Sequence, residues 1–126
     1  MKEVRTKAAP APVGPYSQAV LHNGLLFVSG QIPLDPETNQ LVKGDIEVQT
    51  KRVLENLRAV LEAGGSSFDH ILRTSVYLVD LDSFPRMNEV YARCFSREPR
   101  PARATIQAAA LPLGAQVEID AIAYVG

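Results

Sequence analysis

The spacing of apolar residues changes period several times along the chain, and each change marks an element. Tyr16 to Leu21 and Leu25 to Gly30 are short apolar-rich runs. Between them His22-Asn23-Gly24 reads as a hairpin turn, because asparagine and glycine accept positive φ. From Asp45 the period becomes helical. Ile46, Val53, Leu54, Leu57, Val60 and Leu61 fall on one stripe, with Lys51, Arg52, Glu55, Arg58 and Glu62 mostly off it. Asp45 is the N-cap of this helix and Gly64-Gly65 its stop signal. Ile71 to Val79 reads as a strand. Asp80 to Ser83 leads into a second helix that tolerates Pro85 in its first turn. Its stripe is Phe84, Met87, Asn88, Tyr91, Cys94 and Phe95. Two strands close the chain, within Pro101–Leu111 and Gln116–Tyr124. Glu3 to Lys7 add a short edge strand. Ala8 to Gly14, with Pro10 and Pro12, and Pro33 to Lys43 read as loops.

This order predicts an α+β fold. One mixed sheet of five to six strands carries both helices on one face, since two helices cannot cover both faces of such a sheet. The last two strands hold the candidate chemistry. Ala104, Ile106 and Ala108 share one face of the first, and Val117, Ile119, Ala121 and Ala123 one face of the second. If Pro112-Leu113-Gly114 turns the chain back and both apolar faces meet one core, the other faces coincide. Arg103, Thr105 and Gln107 then share a surface with Glu118 and Asp120. An arginine fork beside a carboxylate suits the holding of a small carboxylate and the polarising of a water. The plain alternative is a surface arginine or a structural salt bridge, and spacing does not choose between Glu118 and Asp120. The same surface carries Ile122 and Tyr124. It is too apolar for bare solvent and too charged for a core, which predicts a homo-oligomeric interface with clefts.

Composition narrows the functional classes. The 126 residues fit one domain, and 46% apolar residues suffice for a core. A net charge of −1 leaves no broad basic field for nucleic acid or an anionic membrane. No apolar run reaches the roughly 20 residues of a membrane span. The N-terminus lacks the apolar stretch of a secretory signal. The single cysteine, Cys94, fits a reducing compartment, so a cytoplasmic location is expected. It falls on a helix stripe and reads as a core thiol. His22 and His70 have no spaced partners, so no metal site is expected. No Walker loop or dinucleotide fingerprint calls for a cofactor. Two further segments could meet a ligand. Tyr16 could bring its hydroxyl to a cleft rim, and Gly30 would let a ligand approach the backbone. Asn88 interrupts the second helix stripe, so its amide needs a partner, either a loop backbone or a ligand.

Four blocks of sequence then resemble one known family. They are Gly14-Pro15-Tyr16-Ser17-Gln18-Ala19, Phe27-Val28-Ser29-Gly30-Gln31-Ile32-Pro33, Val76-Tyr77-Leu78-Val79-Asp80, and Pro101-Ala102-Arg103 through Val117-Glu118-Ile119. They look like the motifs of the RidA (YjgF) family, and the likeness covers essentially the whole chain. The resemblance implies a chorismate-mutase-like α+β fold, one RidA-like domain over residues 1–126, and a homotrimer with sites in clefts between subunits. It implies hydrolytic deamination, without a cofactor, of reactive 2-imino and 2-enamino acids such as 2-iminobutanoate and 2-aminoacrylate. The products would be 2-keto acids and ammonia. By motif, Arg103 matches the arginine that grips the substrate carboxylate, and Glu118 the glutamate that positions or activates water. Tyr16, Ser29, Gly30, Gln31, Ile32 and Asn88 match positions lining the cleft. Thr105 falls where members carry cysteine, threonine or alanine, which argues against an essential thiol. The alternative within the same cleft is a non-catalytic module that binds small carboxylates. A ribonuclease reading is weakened by the near-neutral charge and the lack of aromatic–basic interleaving.

Overall fold

A computed structural model describes all residues, 1–126. Its six strands are β1 (Lys2–Val4), β2 (Ala19–His22), β3 (Leu25–Gln31), β4 (Ile71–Leu78), β5 (Ala102–Gln107) and β6 (Val117–Tyr124). The helices are α1 (Ile46–Ala63) and α2 (Phe84–Ala92). The strands form one mixed sheet in the order β1-β2-β3-β6-β4-β5, with β4 and β5 parallel and every other pair antiparallel. Asn23 and Gly24 turn the β2–β3 hairpin with φ of 52° and 76°, the left-handed geometry that such a turn demands.

The side chain of Asp45 accepts a hydrogen bond from the Val48 N–H at 3.0 Å and starts α1. The apolar stripe read from the sequence is the buried one: Ile46, Val53, Leu54, Leu57, Val60 and Leu61 all join the core. They pack with Leu26 and Val28 of β3, Val76 and Leu78 of β4, and Val117, Ile119, Ala121 and Ala123 of β6. Cutting a fully buried leucine such as Leu57 to alanine should cost about 2–5 kcal/mol in such a core. From α2 come Met87, Val90 and Tyr91. Cys94 is half-buried against the same core, and burial pushes its thiol pKa up.

One expectation is overturned. β5 does not lie beside β6; β4 runs between them. In β4, Thr74, Val76 and Leu78 face the helices, as their burial shows. Thr74 is opposite Ala121 of β6 on one side and Arg103 of β5 on the other; Val76 is opposite Ile119 and Thr105. Residues opposite one another share a face. Arg103 and Thr105 therefore point to the helix side. Glu118 and Asp120, opposite Tyr77 and Ser75, point to the open side. The cause is the connection through α2. A helix carrying the chain from β4 to β5 makes a parallel crossover unit. The turn at 112–114 then carries the chain past β4 into the slot between β3 and β4. The open face also carries apolar surface: Phe27, Ile106 and Tyr124 remain 42%, 52% and 39% exposed on it.

Candidate active site

The residues singled out in the sequence gather into two groups on opposite faces of the sheet. The first lies where the edge strand β5 meets α2. The Arg103 Nη1 donates to Asn88 Oδ1 at 2.7 Å. The guanidinium carbon lies 4.8 Å from the centre of the Tyr91 ring and 5.4 Å from that of Phe84. The Tyr91 hydroxyl is 2.7 Å from Thr74 Oγ1. Burial pushes the Tyr91 pKa up, against opposing pulls from Thr74 and Arg103, so the phenol stays protonated. Thr105 also belongs here, and its buried Oγ1 has no hydrogen-bond partner in the chain. An open cleft of about 450 Å³ runs past Asn88, Tyr91, Phe95, Arg100 and Arg103. The chain's ion pairs engage Arg5, Arg52, Arg86, Arg97 and Arg100, but not Arg103. Asn88 thus finds its partner in the arginine itself rather than in loop backbone.

The second group lies on the open face, where β3 meets β6. The carboxylate of Glu118 rests over Gly30. A Cβ built at Gly30 would overlap Glu118 Oε2 and come within 2.8 Å of Cδ and 3.1 Å of Cγ. The position must stay without a side chain for the carboxylate to sit there. Burial, and then the nearby charge of Asp120, raise the Glu118 pKa above its usual range. Asp120 in turn accepts a hydrogen bond from the Tyr77 hydroxyl at 3.3 Å. The pairing of β3 with β6 shifts register between Val28 and Gln31. This irregularity carries Ser29 and Gly30 past the regular ladder.

Polar side chains fix the backbone on both sides of Gly30. Ser29 Oγ donates to the carbonyl of Ser17 at 2.6 Å. Gln31 is buried, and its side chain donates to the Ser29 carbonyl at 3.1 Å. Ile32 is buried in a small satellite cluster with Leu34 and Ala115. Tyr16 is 47% exposed, and its hydroxyl accepts the Val13 N–H at 3.2 Å. The structure thus places Tyr16 at a surface and Ile32 largely inside. The buried Asn56 of α1 donates to the carbonyls of Ile32 and Leu34 at 3.3 and 2.9 Å. Gln18 accepts the Thr6 N–H at 2.8 Å and donates to the Pro10 carbonyl at 2.9 Å. Sequence reasoning passed over Asn56, although it sits three residues after Val53 and four before Val60 on the buried stripe. A polar residue there must have a partner.

The chain therefore presents a six-stranded α+β sheet whose edge carries an ion-pair-free arginine and whose open face carries a half-buried glutamate over a glycine. The profile of the family described as Endoribonuclease L-PSP matches residues 6–125. The chain belongs to this family, the YjgF/RidA family. A RutC family protein of Pyrococcus horikoshii is 51% identical over 125 residues, 98% of either chain. The mouse protein named 2-iminobutanoate/2-iminopropanoate deaminase is 45% identical over 125 residues, covering 99% of this chain and 92% of that one. The crystal structure of RidA from an Antarctic Psychrobacter superposes with a TM-score of 0.94 at 43% identity, over 99% of this chain and 100% of the other.

Proposed function

We propose that the protein is a cytoplasmic homotrimer that hydrolyses reactive 2-imino acids, and the enamines that tautomerise to them, to 2-keto acids and ammonia. The observation that carries this reading is the arginine: Arg103 is held at the sheet edge by neutral groups, with no carboxylate consuming its charge. Its fork is suited to the carboxylate of a small amino-acid-derived substrate. The buried, unpartnered Thr105 hydroxyl lies two residues along the same face. Membership of a family in which the mouse relative bears the deaminase name supports the reaction class.

Arg103 and Glu118 lie on opposite faces of one sheet, so one site takes them from two subunits. The apolar open face with Phe27, Ile106 and Tyr124 is the surface that subunits would cover. In the assembled cleft Arg103 and Asn88 of one subunit meet Glu118, Ser29, Gly30 and Gln31 of its neighbour, with Tyr16 and Ile32 at the border. Glu118 takes a proton from water as the oxygen attacks the imine carbon. Glu118 passes that proton to the imine nitrogen, which gives the neutral carbinolamine. On collapse Glu118 carries the hydroxyl proton to the amine, the C–N bond breaks, ammonia leaves, and the C=O of the keto acid forms. A carboxyl whose pKa is raised by burial holds and returns a proton closer to neutrality than an exposed one. The imine is already electrophilic, so proximity and electrostatics carry most of the acceleration.

The test is the decay of a 2-imino acid generated in the cuvette by an amino-acid oxidase. Added protein should speed the release of keto acid and ammonia. Since a hydrogen bond to a charged group contributes about 1.5–3 kcal/mol, Arg103→Ala should lower kcat/KM by at least about 10- to 150-fold. Full activity in that variant would remove the assignment. Keto-acid binding that depends on Arg103, with no turnover, would instead mark a carboxylate-binding module. The family description names ribonuclease activity, and RNA cleavage by pure protein is the measurement that would favour it.

A further inference from the structure

We propose that Phe84, Asn88 and Tyr91 form a charge-neutral cradle that keeps the Arg103 guanidinium oriented and uncompensated for an anionic ligand, and that Thr74 pins this cradle to the sheet. The proposal rests on the reading of Arg103 as the carboxylate grip and deepens it. Phe84, Asn88 and Tyr91 are positions i, i+4 and i+7 of α2. They make one stripe about 10 Å long at 1.5 Å per residue. The guanidinium lies over this stripe, with a ring centre 5.4 Å and 4.8 Å from Cζ and the amide oxygen between them at 2.7 Å from Nη1.

Each of these three groups attracts a cation without cancelling it. Aromatic faces do so through their quadrupole. An amide oxygen does so through one hydrogen bond, leaving the other guanidinium donors free. A carboxylate at any of the three positions would make an ion pair and lower the attraction for an incoming anion. The chain uses carboxylates freely elsewhere: Arg86 bonds to both Asp45 and Glu47 at 2.9 and 3.0 Å. At Arg103 it does not.

The pin explains why position 91 is a tyrosine. Its ring faces Arg103 while its hydroxyl reaches Thr74, which is 0% exposed on the adjacent strand β4. Thr74 is also the residue opposite Arg103 in the β4–β5 ladder. Helix, β4 and arginine are thereby joined in one closed set of contacts. Rotation of α2 that would carry Asn88 away from Arg103 must break the buried Tyr91–Thr74 bond.

The experiment measures binding of 2-oxobutanoate, a non-reacting 2-keto acid, to the whole protein by titration calorimetry, with Tm as the folding control. Asn88→Asp keeps the size and the tether but adds the compensating charge. It should weaken keto-acid binding by at least about 10-fold at near wild-type Tm, the loss of roughly one charge-assisted hydrogen bond. A merely structural asparagine would not behave so. Tyr91→Leu and Phe84→Leu should each weaken binding about 5-fold or more by removing a cation–π contact. Tyr91→Phe keeps the ring and breaks only the bond to Thr74, so it should weaken binding about 3-fold, less than Tyr91→Leu, and lower Tm; unchanged binding together with unchanged Tm overturns the pin. Wild-type affinity in Asn88→Asp, or in both leucine variants, overturns the cradle. If Tyr91→Leu does not fold, Asn88→Asp and Phe84→Leu decide. Arg103→Ala separates the two levels. Loss of binding there with intact binding in the cradle variants sinks the cradle alone. Intact binding in Arg103→Ala sinks the carboxylate grip and the cradle with it.

Discussion

Replacing Gly30 by alanine isolates the Glu118 half of the proposed site. The added Cβ would overlap Glu118 Oε2 and come within 2.8 Å of Cδ. Those atoms are the far end of a flexible side chain, so the carboxylate swings aside and the backbone need not move. Gly30 has no positive φ, so alanine adds no backbone strain there. Fewer unfolded conformations should even return about 0.4–1 kcal/mol of stability. The Tm of Gly30→Ala should therefore stay within about 5 °C of wild type. Catalysis should respond differently. A displacement of about 1 Å of a catalytic group can cost about 100-fold, equivalent to about 2.7 kcal/mol of transition-state stabilisation. The assay follows the decay of an imine generated in situ. We expect kcat/KM to fall about 100-fold, while keto-acid binding through Arg103 stays within about 3-fold of wild type, the scale of less than 1 kcal/mol. A Gly30→Ala variant with wild-type kcat/KM would refute the placing of Glu118 in the chemistry. A variant that fails to fold would refute the claim that the side chain can give way.

Three further variants probe the carboxylate pair and the support beneath it. Burial and Asp120 raise the folded-state pKa of Glu118, so the folded chain holds that proton more tightly than the unfolded one. This contribution to stability is fully present below the usual glutamate pKa of 4.5 and is lost as pH rises through the raised value. Glu118→Gln should accordingly be more stable than wild type at pH 7, with the advantage vanishing in acid; a lower Tm at pH 7 would contradict the burial argument. In the same vein, Asp120→Asn should move the acid limb of the kcat/KM profile to lower pH. Asn56→Ala removes the donor to the Ile32 and Leu34 carbonyls. It should cost about 1–3 kcal/mol, a Tm loss of about 4–12 °C, and a Tm within 2 °C of wild type would show that the amide is dispensable.

Much of the fold was legible because local rules were unopposed. Asp45, the stripe from Ile46 to Leu61, and Asn23-Gly24 each specify their element without reference to the rest of the chain. Strand pairing is different. Alternation in 102–107 correctly separates Arg103 and Thr105 from Ala104 and Ile106, but it does not say which set meets the helices. That inference needs one wet face and one dry face, and here the open face carries Phe27, Ile106 and Tyr124 beside Glu118 and Asp120. Ala104 and Ile106 join it opposite Ser75 and Tyr77, while Arg103 is accepted on the helix side by two rings and an amide. The placing of β4 between the last two strands is equally nonlocal; it follows from the crossover through α2. The identities of Arg103, Glu118, Gly30 and Asn88 were therefore readable as motif positions, whereas their division between two faces was not.

That division is the central claim, and mixed assemblies of the proposed trimer test it most directly. Arg103→Ala and Glu118→Gln chains, each expected to be strongly impaired alone, are unfolded together in equal amounts, refolded and assayed for imine hydrolysis. If each site draws Arg103 from one subunit and Glu118 from the next around a threefold ring, random mixing makes about one quarter of the sites complete. About a quarter of wild-type activity should return. No recovery in trimers shown to contain both chains would mean that the two residues act from one subunit, and would contradict the account.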